Sequence, residues 1–122
     1  MISQNLGLAD LTNSIFNALG VPNTSDLLGL GIGAQRECLI LIDGMGQDAL
    51  DRFADQFTIF SQLKNQANLI ANFPSTTATS LSTLGTGELP GVHGMLGYTV
   101  RVPRSDNRLL NALKWDERVD PV

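Results

Sequence analysis

The chain has 122 residues, enough for one modest domain, with 43% apolar residues and a formal net charge of −4. It carries no basic run, which argues against a nucleic-acid polymer as the main partner, because such binding needs clustered Lys and Arg to neutralise phosphates; a small anionic substrate remains compatible where metal ions supply the positive charge. No stretch approaches the ~20 apolar residues of a membrane span, and the start MISQNLGLADL lacks the basic and apolar regions of a signal peptide, so the expected address is the cytoplasm, with no membrane partner.

Residues 8–19 place Leu8, Leu11, Ile15, Phe16 and Leu19 at helical spacing, and Gly20 followed by Val21 and Pro22 ends that helix. Thr24 or Ser25 is expected to cap a short second helix through Leu30. Gly29, Gly31 and Gly33 form a glycine-rich run, but it precedes a strand pattern instead of following one, so it reads as connector and not as a dinucleotide loop. Residues 37–42 (ECLILI) form a continuous apolar run that suits a strand buried on both faces of a parallel sheet. The single cysteine, Cys38, lies in this run; it permits no intrachain disulfide and reads as a buried strand thiol.

Asp43-Gly44-Met45-Gly46 turns the chain, and residues 47–60 read as an amphipathic helix. Asp48 and Asp51 near its start are expected to be solvated caps favoured by the helix dipole. Residues 67–73 are a second strand candidate, after which Thr76 or Thr77 opens a helix through about Leu84. Residues 85–97 read as glycine-rich loop, 98–102 as an extended segment or edge strand, and 109–113 as a helical turn. Strand, helix, strand, helix points to βαβ units and hence to an α/β fold with a mainly parallel sheet flanked by helices.

Two of these strand ends carry polar residues in tight turns. Asp43 follows the first, and Pro74-Ser75-Thr76-Thr77 follows the second. Ligands of open parallel sheets gather at the carboxyl ends of strands, so adjacent strands would bring both turns to one rim. Asp43 is then either a turn former or a ligand for a hard cation. Ser75, Thr76, Thr77 and Thr79 are either N-caps or part of an anion site at a helix start. A Thr hydroxyl there is a poor nucleophile unless a metal or base activates it. His93 is the sole histidine and serves either a structural or a catalytic role; one His cannot complete a zinc site, which needs three or four protein ligands. No Gly-x-Ser-x-Gly elbow supports a Ser-His-Asp triad.

Taken in order, LILIDGMG followed by FPSTTATSLSTLGTGELPGVHGMLGY resembles the start of the nucleotide pyrophosphatase/phosphodiesterase branch of the alkaline phosphatase superfamily. That family has an apolar strand ending in Asp-Gly, a Pro-x-x-Thr turn, a Thr-Gly further on, and a Pro-x-x-His-Gly loop. Here Pro74 leads to Thr77, Thr86-Gly87 follows, and Pro90-Gly91-Val92-His93-Gly94 completes the set. The resemblance covers residues 39–98. The segments LADLTNSIFNALGV and LLNALKWDERVDPV are also similar to bacterial proteins of the alkaline phosphatase family.

The resemblance implies a partial alkaline-phosphatase-like fold and hydrolysis of phosphate esters, above all phosphodiester or nucleotide pyrophosphate bonds, at a site holding two divalent metal ions, by expectation zinc. By position Asp43 would ligate one metal, and Thr77 would bind that metal and attack phosphorus. His93 would lie in the loop near the site and shape it without ligating. Tyr98 stands where the family often has an Asn that contacts a phosphate oxygen; a phenol would donate one hydrogen bond there or merely pack. The family's remaining metal ligands lie far downstream, so residues 1–122 are expected to be the N-terminal portion of a single catalytic domain, inactive alone. Two other readings stay open: a non-catalytic fragment or pseudoenzyme that keeps the fold as a binding module, and another member of the superfamily such as a phosphomonoesterase or phosphonate hydrolase. The Cys/Ser-x-Pro-x-Arg motif of sulfatases is absent.

Overall fold

The computed structural model describes residues 5–56, 58–62, 67–106 and 108–114. In chain order it contains helices α1 (Leu8–Ala18), α2 (Gln47–Arg52), α3 (Thr58–Ser61), α4 (Thr77–Thr86) and α5 (Pro90–His93), then strands β1 (Thr99–Arg101) and β2 (Leu109–Asn111).

The packed centre is the pair α1 and α4. Its fully buried side chains are small: Ser14 from α1, and Thr79 and Thr83 from α4. Ala9 and Ala18 of α1 and Ala78 of α4 are also buried. Small residues let two helices approach closely, but buried hydroxyls need partners. They have them. Thr12 Oγ1 donates to the Leu84 carbonyl at 2.9 Å, and Asn13 Nδ2 donates to the Gly87 carbonyl at 2.9 Å. Carbonyls at the C-terminal end of a helix lack intrahelical donors, so α1 satisfies the end of α4 directly. At the start of α1, Asp10 Oδ2 accepts the Gly7 N–H at 2.7 Å, which both satisfies an orphan donor and places an anion at the positive end of the dipole.

α4 is capped at both ends. Thr76 is its N-cap, and its Oγ1 accepts the Thr79 N–H at 3.3 Å. Gly87 ends it in the left-handed region at φ 71°, with its N–H donated to the Thr83 carbonyl at 2.8 Å. That conformation suits glycine, and a Cβ there would stand 3.2 Å from Asn13 Nδ2.

The expected parallel sheet is not formed among the described residues. Their only sheet is the antiparallel pair β1–β2, with Val100 opposite Leu110. Parallel pairing is reduced to a single bridge between Gly7 and Ile70, where the Ile70 N–H reaches the Leu6 carbonyl at 2.9 Å. Residues 37–42 belong to no ladder, and Leu39 to Ile42 are exposed, Ile40 at 79%. Cys38 is correspondingly exposed, not buried. The physical reason is that no described segment pairs with it: an apolar run becomes a buried strand only when others pair with both its edges and cover both its faces.

Other expectations change in detail. Residues 24–30 do not form a helix. Ser14 Oγ takes the N–H groups of Leu27 and Leu28, and Asp26 takes those of Leu30 and Gly31, so this backbone is satisfied by side chains instead of by helical carbonyls. The helix expected over 47–60 is two short pieces, α2 and α3, separated by a turn at Phe53 to Gln56; residue 57 lies outside the described residues, as does the tail 115–122. Within 85–97, α4 extends to Thr86, and Pro90 at the first helical position starts α5, which Gly94 closes at φ 74°. Residues 109–113 are not a helical turn but begin with β2, because the turn at Pro103 to Asp106 folds them back onto β1. No described helix is long and apolar enough to cross a membrane.

Candidate active site

α4 brings its first residues to the turn that follows residues 37–42. Thr77 Oγ1 donates to Asp43 Oδ2 at 3.2 Å across a separation of 34 residues. The two polar turns of the sequence therefore meet, although the segments that precede them are not paired with each other as strands. Thr76 is committed to capping, and its hydroxyl also lies 2.9 Å from that of Thr79. Thr77, one residue on, is exposed and free of capping duty. The N–H groups of Thr77 and Ala78 have no intrahelical acceptor, as at any helix start, and lie at the positive end of the α4 dipole, where an anion is favoured.

Asp43 and Thr77 line a cleft of about 380 Å³. Its polar lining is Asp43, Ser75, Thr76, Thr77 and Ser80, with Gly44 and Gly46 beside them. Leu8, Leu41, Leu81 and Leu84 form the apolar wall. Ser80 and Leu8 had no signal in the sequence beyond their places in a helix pattern; Ser80 comes one turn along α4 from Thr76 and Thr77, and the packing of α1 on α4 brings Leu8.

His93 and Tyr98 do not line this cleft. His93 closes α5 and lines a second cavity of about 520 Å³ with Ala78, Leu81, Met95 and Leu113. Its Nε2 lies 3.0 Å from Thr83 Oγ1, and its Nδ1 accepts the Met95 N–H at 3.1 Å. Both ring nitrogens are thus engaged within the protein. Tyr98 is 58% exposed, and its carbonyl accepts the Ala112 N–H at the end of the hairpin.

The donor set can be tested against a metal ion. Two oxygens bound to one tetrahedral zinc at its usual Zn–O distance stand about 3.4 Å apart. The Asp43 and Thr77 oxygens stand 3.2 Å apart, so they fit one edge of such a site. They do not complete it: among the described residues no group of three or more His, Cys, Asp or Glu could hold a metal ion.

Comparison with known proteins agrees with the motif order. The family model for type I phosphodiesterase / nucleotide pyrophosphatase matches residues 38–119, more than half of the chain, and includes both turns of the cleft. No curated protein and no solved structure matches the chain. Phosphodiester or nucleotide pyrophosphate hydrolysis is the chemistry that the matched family carries in its name. The chain is a member of the type I phosphodiesterase / nucleotide pyrophosphatase family.

Proposed function

We propose that this chain supplies the nucleophile half of a metal-dependent phosphodiesterase or nucleotide pyrophosphatase site, with Thr77 as nucleophile and Asp43 as metal ligand. The observation that carries the reading is the 3.2 Å contact between Thr77 Oγ1 and Asp43 Oδ2 at the mouth of a cleft that opens a helix. Two divalent metal ions, zinc by the family's chemistry, would supply positive charge that favours the Thr77 alkoxide and the developing charge on the leaving oxygen.

The chain's own residues do the rest. The Thr77 hydroxyl gives its proton to water and attacks phosphorus; the Oγ–P bond forms as the bond to the leaving alcohol or nucleotide breaks, and the leaving oxygen takes a proton from water. The α4 N-terminus holds the phosphoryl oxygens. Asp43 holds the Thr77 oxygen in line, which matters because catalysis of phosphoryl transfer is mostly positioning and electrostatics. Water then cleaves the Thr77–phosphoryl ester, which still carries the ester group the substrate keeps, regenerating the hydroxyl and releasing a phosphate monoester. Tyr98 stands outside the cleft, so it would meet only a part of the substrate that extends beyond the Thr77 rim, and His93 would shape the loop before it.

Residues 1–122 would form the N-terminal portion of one catalytic domain. The support is the exposed apolar run 39–42, together with Phe73 at 94% exposure, which reads as sheet awaiting further strands. The remaining metal ligands would come from those further elements. The full gene product is expected to hydrolyse a chromogenic phosphodiester with added zinc. Thr77→Ala and Asp43→Ala should each abolish turnover, and Tyr98→Phe should raise KM more than it lowers kcat. Residues 1–122 alone should be inactive. Full activity in Thr77→Ala, or zinc-dependent turnover by residues 1–122, would refute the assignment.

A further inference from the structure

Three segments converge on one hydroxyl outside the cleft. Thr83 lies on the helix that Thr77 opens, with 0% of its surface exposed. Asn72 Nδ2 donates to its Oγ1 at 2.6 Å, and His93 Nε2 lies 3.0 Å away. Because His93 Nδ1 accepts the Met95 N–H, that nitrogen carries no hydrogen; the ring hydrogen is on Nε2, which donates to Thr83. The Thr83 oxygen therefore accepts two hydrogen bonds, the full capacity of its lone pairs.

The Asn72 bond has a particular placement. Asn72 stands immediately before Phe73-Pro74-Ser75-Thr76, the turn that delivers Thr77, and Thr83 stands on the helix after it. The one bond clasps the entry of the turn to the body of α4. The His93 bond then ties α5 to the same point. Neither Asn72 nor Thr83 lines the cleft, so neither can touch a substrate bound beside Thr77.

We propose that Asn72 and Thr83 are positioning residues, whose clasp holds the turn so that the Thr77 hydroxyl stays in register with Asp43. This deepens the reading of Thr77 as nucleophile and rests on it. A small displacement of a reacting group is costly: in the full gene product Thr83→Val should lower kcat by about tenfold to a hundredfold, with KM nearly unchanged. Thr83→Ser, which keeps the hydroxyl, should restore kcat to near the parent value. Asn72→Ala should reproduce the loss without touching the His93 bond, and the double variant should add little, because coupled residues acting through one bond are not additive.

Circular dichroism and zinc content, measured alongside, report whether each variant is folded and loaded. Loss of kcat in folded, zinc-loaded Asn72→Ala and Thr83→Val, with Thr83→Ser restored, supports the clasp. Unchanged kcat in Asn72→Ala, or a kcat loss no larger than the loss of folded protein, overturns it while leaving Thr77 in place. Should Thr83→Val fail to fold, Asn72→Ala and Thr83→Ser decide alone. Activity retained in Thr77→Ala instead removes the nucleophile itself, and the clasp with it.

Discussion

Thr76 and Thr77 are adjacent, chemically identical and assigned opposite duties, so separating them is a demanding prediction. In Thr76→Ala the α4 N-cap is lost, at a typical cost of about 1 kcal/mol. The buried Thr79 hydroxyl also loses the partner 2.9 Å away, which adds about 1 kcal/mol. Together, about 2 kcal/mol of local stability corresponds to roughly 30-fold faster exchange of α4 amides, if that segment exchanges by local opening. Thr77→Ala removes an exposed hydroxyl from the first helical position and should change α4 stability by less than about 0.5 kcal/mol. Hydrogen exchange with mass spectrometry over residues 77–86 of the full gene product, together with turnover of a chromogenic phosphodiester, reads both effects. The expected pattern is a dissociation: Thr76→Ala loosens α4 and keeps measurable turnover, whereas Thr77→Ala leaves α4 protected and abolishes turnover. Equal loosening by both variants, or abolished turnover in Thr76→Ala with α4 fully protected, would show that the duties have been assigned to the wrong hydroxyls.

Gly87→Ala should weaken the end of α4 by about 1–2 kcal/mol, the cost of a left-handed non-glycine residue, and its Cβ must also displace the Asn13 amide 3.2 Å away; faster exchange at the helix C-terminus checks this, and an unaffected helix would speak against the α1–α4 contact. The Asp26 carboxyl is held below its ordinary pKa by the N–H groups of Gly31 and Leu30. A carboxyl with a lowered folded-state pKa contributes stability that is present above the unfolded value near ~4 and is lost as pH falls through the folded value. An NMR titration should therefore show the Gly31 and Leu30 amides shifting only at pH below that ordinary range, with the shift absent in Asp26→Asn; a midpoint above the range would contradict the bonding described.

What could be read from the sequence follows the range of the interactions involved. Helix α1 was legible because Leu8, Leu11, Ile15 and Phe16 repeat at 3.6-residue spacing, and α4 because a Thr cap precedes a run of helix-compatible residues. Both are fixed within one or two turns. Strand formation is not local: residues 37–42 have every property of a buried strand except neighbours, so composition predicted a parallel sheet that the described residues do not form. The first strand of the hairpin lies within the extended segment expected at 98–102, but the second was missed for the converse reason. Leu109 and Leu110 are good helix formers, but pairing with Val100 and Arg101 across a tight turn outweighs so short a run's helical preference.

The site divided in the same way. Motif order placed Asp43 and Thr77 on two turns, and their approach to 3.2 Å is a three-dimensional fact that agrees with it. Motif order also grouped His93 and Tyr98 with them, but neither lines the cleft. His93 is turned to Thr83 and Met95 because both ring nitrogens find partners there. Asn72 and Thr83 carried no signal as single letters, since a buried Thr and its amide partner are defined only by what they touch.

Peptide mapping of the full gene product, quenched in acid during turnover of a phosphodiester, tests the account at its centre. The prediction is the substrate's phosphoryl group, with its retained ester, on Thr77, absent in Asp43→Ala. Steady turnover with that adduct on Ser75 or Thr76, or with none trapped on any residue of the 74–80 segment under conditions that preserve a threonine phosphodiester, would contradict it.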